Sequence, residues 1–507
     1  MNHDDSAQGT AEQEATPQEI TRAAQFAEET RKATVLFHDP DDLGYAVCPL
    51  GERTSANYAI TSTAFERWLV SRYLDLYKVV PSEAEVRRVV RLCDALALHQ
   101  GPRKQVHLRI AETPRAIYLD LCDKRWRAVK IEATGWRVVT LPRVHFRRAQ
   151  GMLPLPVPRR GGDLTDLRRL LNFTQPHEWT LAMSWEFATV QNHASFPVLC
   201  LHGEPGSGKT TAGLMLRNLV DPNTAQLAAP PTTTRDVMIR AHNAWIVGWD
   251  NLSEISVKLS DTICRLATGA GFAKRRLYTD TDETVFTYRR PVLLTSITDV
   301  ATRGDLLDRA IMLHLATIPK EQRRSESELL DQYRTLRPAL LGAMLTVIAG
   351  ALRDLPDIRL DELPRMADYF RWVIAAARSM GWTREAVTDA ETKNRAEINA
   401  MALEASILTS PLVTLLEQAE RGAYKGQTRG LRTDNQGVLF CPATLLRDTL
   451  RKMVDEADRS HKVLKSLRAM HDEIVRIQGN LRKIGVIVER NRTSKERGYR
   501  IRRGRSA

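Results

Sequence analysis

The stretch VLCLHGEPGSGKTT, residues 198–211, runs from an apolar strand through Gly203-x-x-x-x-Gly208-Lys209-Thr210 into a helix-forming segment. Strand, glycine loop and helix in that order form a phosphate cradle. The glycines let backbone N–H groups turn inward, Lys209 brings a cation to the β and γ oxygens, and Thr210 offers a hydroxyl to Mg2+. The start of the following helix adds the positive end of its dipole. Gly203, Glu204, Pro205, Gly206, Ser207, Gly208, Lys209, Thr210 and Thr211 are therefore the expected binding loop for ATP or GTP, with ATP and Mg2+ the expected cofactors. A glycine-rich turn that merely looks like such a loop is disfavoured, because all three parts are in place.

A phosphate loop works with a metal ligand, and AWIVGWD at residues 244–250 supplies one: a short apolar run delivers Asp250 to the magnesium beside Thr210. Asn251 follows, where a water-activating glutamate would serve hydrolysis. An amide cannot accept that proton, so either another carboxylate, Glu254 or Asp261, takes the role or hydrolysis is slow.

Residues 266–315 add a hairpin and a further strand. The β-rich runs 273–279 and 283–289 flank the turn-forming Asp280-Thr281-Asp282. Alternation puts Lys274, Arg276 and Tyr278 on one face and Arg275 on the other. That face suits a nucleic-acid backbone with a stacked base, or is a solvated basic strand. The run 291–295 then brings Thr295 and Ser296 beside the γ-phosphate position.

In this order of parts the chain resembles the AAA+ ATPases and, within them, the superfamily 3 helicases of viruses, plasmids and integrated elements. The resemblance spans residues 197–315: the phosphate loop, Asp250, the Thr268-Gly269-Ala270-Gly271 run with its hairpin, Thr295-Ser296, and Leu306-Leu307-Asp308-Arg309. Thr or Ser stands where that family carries Asn, and Asn251 replaces an acid. The resemblance implies that Arg309 is a finger reaching the nucleotide of a neighbouring subunit, hence a homo-oligomeric ring. Arg303 competes for that role, and pairing of Arg309 with Asp305 or Asp308 is the plain alternative. It also implies a helical lid after the core, with Arg365 either a phosphate contact or, as the plainer reading, an exposed arginine at a helix start.

At 507 residues the chain is too long for one core. Its six cysteines form no CxxC pair, which fits reduced thiols and no zinc site. No run of eighteen apolar residues and no signal-peptide pattern is present, so a cytoplasmic protein without a membrane partner is expected. The net charge of +13 is concentrated: residues 425–507 hold 21 Lys and Arg against 9 Asp and Glu, an excess of 12. Such concentration points to a polyanion partner, DNA.

The basic region reads as helix 445–457, helix 469–484, glycine, then two strands around a polar turn, the order of a winged helix. Arg476, Gln478, Asn480, Arg482 and Lys483 are the groove candidates; Arg490, Arg492, Lys495 and Arg497 are the wing candidates. A small protein-binding domain with a solvated tail is the alternative. Upstream, Asp120 and Asp123 admit a primase-like metal site, although carboxylates beside a hairpin turn are commonplace.

The expected fold class is α/β: a P-loop NTPase core resembling AAA+ (196–320) with a helical lid (321–421). An α+β N-terminal domain (31–152), a Pro-rich linker and helical connector (153–195), a winged-helix-like DNA-binding domain (422–507) and a mobile acidic tail (1–30) complete it. The expected function is an ATP-dependent DNA motor, a helicase or replication ATPase of a mobile element. The alternative is a DNA-bound ATP switch that assembles without unwinding.

Overall fold

The computed structural model describes residues 17–507 except 253–254, 270–271, 276–282, 287, 297–303, 428, 435, 457, 459–460, 493–496 and 505–507. Side chains are also left aside at 17–21, 23, 272–275, 283–286 and 304–305. The chain divides into two compact units, Met1–Val157 and Pro158–Ala507.

The first unit begins with helix α1 (Pro17–Ala33) and the antiparallel strands β1 (Val35–His38), β2 (Gly44–Gly51) and β3 (Thr54–Ala59). Helices α2 (Thr63–Tyr77) and α3 (Glu83–His99) follow, started by the Ser62 cap and the Ser82–Glu85 capping box. The remaining strands are β4 (Val106–His107), β5 (Ile110–Thr113), β6 (Ala116–Asp120), β7 (Ala128–Glu132), β8 (Gly135–Val139) and β9 (His145–Phe146). Strands β5 to β8 form the expected meander. The tail expected to be mobile enters a helix at Pro17, because Phe26 and Ala27 are buried against α2 and α3, with Phe26 edge-on to Tyr73 at 4.9 Å. Residues 1–16 lie outside those described.

Asp120 and Asp123 serve structure. Arg148 grips Asp120 through two nitrogens (2.7 and 3.0 Å) while stacking on Trp126. Asp123 accepts the Arg125 and Arg127 N–H groups, at 3.1 and 3.0 Å, and pairs with the Arg127 side chain. This is the turn reading, and among the described residues no cluster of three metal-ligating side chains occurs.

The second unit opens with α4 (Thr165–Arg168) and α5 (Pro176–Ala188), then β10 (Val198–His202), α6 (Lys209–Val220), α7 (Thr234–Asn243), β11 (Val247–Leu252) and α8 (Val257–Thr268). The hairpin β12 (Phe272–Arg275) and β13 (Glu283–Phe286), β14 (Val292–Ser296), α9 (Gly304–Leu307) and β15 (Ala310–His314) complete the core. The sheet is parallel in the order β11-β14-β10-β15. Its strands are buried on both faces, as expected of apolar runs such as Val292–Ser296.

Helices α10 (Glu326–Asp354), α11 (Ala367–Ser379), α12 (Arg384–Glu404) and α13 (Thr409–Glu420) follow. By length and composition α10 could cross a bilayer, yet 61% of its apolar window is buried inside the protein, as in a core helix. The Pro-rich connector is seated: Arg159 N–H donates to the Pro338 carbonyl at 2.8 Å, and a Cβ on Gly162 or Gly342 would collide with backbone across that contact. From α12, the Asn394 side-chain amide bonds both the N–H (3.2 Å) and the carbonyl of Met312 in β15.

The chain ends with β16 (Arg432–Thr433), β17 (Leu439–Pro442), α14 (Ala443–Met453), α15 (Leu467–Lys483), β18 (Val486–Arg492) and β19 (Arg497–Arg503). Its sheet runs β16-β17-β19-β18. One core joins α13, α14 and α15 to it, through Leu412, Leu416, Leu450, Ile474, Ile477 and Ile501.

On α12, burial raises the Glu391 carboxyl to about 7, with Arg395 opposing. Its folded value lies above its ordinary 4.5, so its contribution to stability is present below that value and is lost as pH rises through about 7. Glu391→Gln should therefore raise the melting temperature more at pH 8 than at pH 5; an equal shift at both would contradict a titrating carboxyl there.

Candidate nucleotide site

Three strand ends converge in front of the phosphate loop. Strand β14 lies between β10 and β11 with Leu201 beside Thr295 and His202 beside Ser296. The site therefore sits at the carboxyl edge of a parallel sheet, where such folds bind ligands. Gly206 and Gly208 adopt left-handed φ of 83° and 81°, and a Cβ on Gly203 would strike the Leu315 carbonyl. Those constraints explain the glycines.

Lys209 opens α6 and folds over the loop, its Nζ donating to the Gly203 and Glu204 carbonyls (2.7 and 2.8 Å) and reaching Ser207 Oγ at 3.2 Å. Burial lowers its ammonium below the ordinary lysine range, and Asp250 opposes that shift. The Thr210 hydroxyl donates to Asp250 Oδ1 at 3.0 Å, and the Thr295 hydroxyl donates to the same oxygen. Thr295 Oγ1 also accepts the Asn251 N–H at 2.9 Å. A hydroxyl and a carboxylate in contact at the mouth of the loop are a hard-oxygen donor set, which fits Mg2+ held mainly by nucleotide oxygens and water. Thr210 and Asp250 would hold it, and the ion would neutralise charge on the β and γ oxygens.

The ladder between β11 and β14 is irregular between Trp249 and Leu252, and Asn251 has φ of 55°. This kink turns Asp250 toward the loop, a common use of strand irregularities near active sites. Asn tolerates the left-handed region better than most residues, so the amide at this position has a backbone reason. Asp261 is exposed on α8, and Glu254 lies outside the described residues.

Several supports carry no motif. Asn172 Nδ2 donates to the Ser207 and Ala316 carbonyls at 3.0 and 2.6 Å, tying the loop to the segment after β15. Thr317 Oγ1 donates to Glu204 at 3.1 Å, and Ile318 N–H donates to the Gly206 carbonyl at 3.3 Å. His202, beside Lys209, is lowered to about 4 by burial first and by His314 and Lys209 second. Only the neighbouring strand order, invisible in sequence, brings these groups together.

Residues 164–386 match the family described as actinomycete integrative conjugative element replication protein. No curated protein sequence matches the chain. Among solved structures, one described as the active helicase Cch of SCCmec type IV is similar at 12% identity with a TM-score of 0.48, covering 92% of each chain. The NrS-1 C-terminal region is similar at 12% identity and a TM-score of 0.40, over 94% of this chain and 98% of that one. A JCV helicase is similar at 14% identity and a TM-score of 0.23, over 45% of this chain and 67% of that one.

Other sequence candidates fall elsewhere. Arg309 lies at the opposite edge of the sheet: its carbonyl accepts Val198 N–H at 2.9 Å, at the entry of β10. Five steps along β15 lead from it to His314, roughly 16 Å of strand. Arg365 is exposed and pairs with Asp308 at 3.2 Å near that same edge. Arg303 lies outside the described residues. The hairpin pairs Lys274 with Thr284 and Arg275 with Glu283; Arg276 and Tyr278 lie outside the described residues.

In the C-terminal module Arg476 turns back on Glu473 at 2.8 and 2.6 Å, and Asn480 donates to Asn399 of α12 at 2.9 Å. Both side chains are part-buried, and their bonds hold α15 to itself and to α12. Arg482, Lys483, Arg490, Arg492 and Arg497 are exposed, and Lys495 lies outside the described residues.

A 100-fold excess of a ligand over its Kd stabilises by about 2.7 kcal/mol. Mg-ATP should raise the melting temperature of the wild type and leave Lys209→Ala unchanged. Thr295→Val, which frees both Asp250 and the Asn251 N–H, should keep nucleotide binding while reducing its enhancement by Mg2+; an undiminished Mg2+ effect would contradict the hydroxyl's role.

Proposed function

We propose that this chain is an ATP-dependent DNA motor that replicates a mobile element, of the superfamily 3 helicase type. The observation that carries the reading is the Asp250 carboxylate held by the Thr210 and Thr295 hydroxyls at the mouth of the phosphate loop. The family match over residues 164–386 supports a replication role.

In this reading the loop amides and Lys209 bind and orient the triphosphate, and Asp250 and Thr210 hold the magnesium. Arg309, on the far edge from its own loop, serves a neighbouring subunit, so turnover requires a homo-oligomer, a ring or part of one. The hairpin with Lys274, Arg276 and Tyr278 grips the DNA strand. The module of α13, α14, α15 and the β17-β19-β18 sheet acts as a winged helix, with Arg482 and Lys483 toward the groove and Arg490, Arg492, Lys495 and Arg497 along the phosphates. The protein works in the cytoplasm, where its DNA is.

Asn251 favours a second reading, a DNA-bound ATP switch. It is an exposed amide directly after the metal carboxylate, where a base would stand. Single-stranded DNA should stimulate ATP hydrolysis, and forked duplex should be unwound by wild type but not by Lys209→Ala. ATP binding and assembly on DNA with hydrolysis and unwinding both at background would select the switch. Mixing Arg309→Ala with Lys209→Ala subunits should restore part of the hydrolysis, since some interfaces then pair an intact loop with an intact arginine. Loss of Arg482 and Lys483 together should lower the salt slope of duplex binding by about two.

A further inference from the structure

The segment after β15 wraps the phosphate loop and returns an arginine to it. Leu315 N–H donates to His202 O at 2.8 Å, Thr317 bonds Glu204, and Ile318 N–H bonds the Gly206 carbonyl at 3.3 Å. A single 3-10 turn, Lys320–Gln322, then reverses the chain. Arg323 comes back along it, its Nε donating to the Ile318 carbonyl at 3.1 Å. That one bond fixes the guanidinium plane. Arg323 Nη2 stands 3.3 Å from the point a Cβ on Gly206 would occupy, and Cζ 3.7 Å from it.

The two terminal nitrogens make no hydrogen bond among the described residues, and the side chain is exposed on the solvent side of the loop. A guanidinium aimed by one bond, with its fork open beside an anion-binding loop, matches how arginine meets phosphate. Lys320, also exposed, adds to the positive charge of this turn.

We propose that Arg323 is a phosphate-contacting residue supplied in cis, donating to a polyphosphate oxygen of the nucleotide held by the Gly203–Lys209 loop. The assignment rests on the nucleotide reading above. It gives the site, beside Lys209, a second cation from its own chain.

The test is calorimetric binding of Mg-ATP and ADP to the full chain, with melting temperatures measured without nucleotide. Arg323→Ala should weaken both nucleotides on the order of tenfold, as expected for loss of a charge-assisted hydrogen bond. Arg323→Lys should recover part of that loss, and added salt should narrow the difference. Ligand-free melting should match wild type, because the side chain is exposed. If wild type binds and Lys209→Ala does not, while Arg323→Ala binds within twofold of wild type, the arginine assignment falls and the nucleotide reading stands. If wild type binds neither nucleotide, both fall. A lower ligand-free melting temperature in Arg323→Ala, with a loss of affinity that Lys does not relieve, also overturns it, since the side chain would then merely brace the turn.

Discussion

The register of β14 between β10 and β11 is the constraint on which the site depends. Because side chains alternate along a strand, a one-residue slip would turn Thr295 away from Asp250. With Leu201 opposite Thr295, the hydroxyl meets the Asp250 carboxylate at the edge where the loop begins. The apolar residues Leu199, Leu293 and Ile311 hold that register from below, all fully buried. Packing in the sheet thus sets the position of a polar cluster that no local sequence preference could assemble.

Much of this was legible in the sequence because the relevant signals are local. The phosphate loop announces itself through glycines, lysine and threonine in fixed spacing, and the C-terminal module through its order of helix, helix, glycine and two strands. The strand delivering Asp250 was legible from its apolar run. What escaped depends on contacts distant in sequence. Asn172 and Ala316 are 144 positions apart, and nothing around either marks the bond between them. Arg323 reads as one of several charges in a polar run until a turn brings it back. Arg365 shows the converse: its position after the core suits a lid contact, and in the fold it lies exposed and paired with Asp308.

The N-terminal helix makes the same point from the other side. Composition argued for a solvated tail, yet two apolar residues, Phe26 and Ala27, seat its helix on α2 and α3. Burial of one aromatic ring contributes about 1.5–3 kcal/mol, comparable with the ordering of a few residues. Average polarity therefore predicts poorly where a single well-placed ring decides.

The Asn394 amide on β15 has a consequence for how copies of this chain meet. An unpaired strand at the rim of a sheet is a template onto which another chain can add by main-chain pairing, the usual route to uncontrolled aggregation. Asn394 engages both polar groups of Met312 and so competes with any chain that would pair there. At that position contact between copies would rest on side chains, whose specificity evolution can tune, and not on backbone, which is alike in every protein.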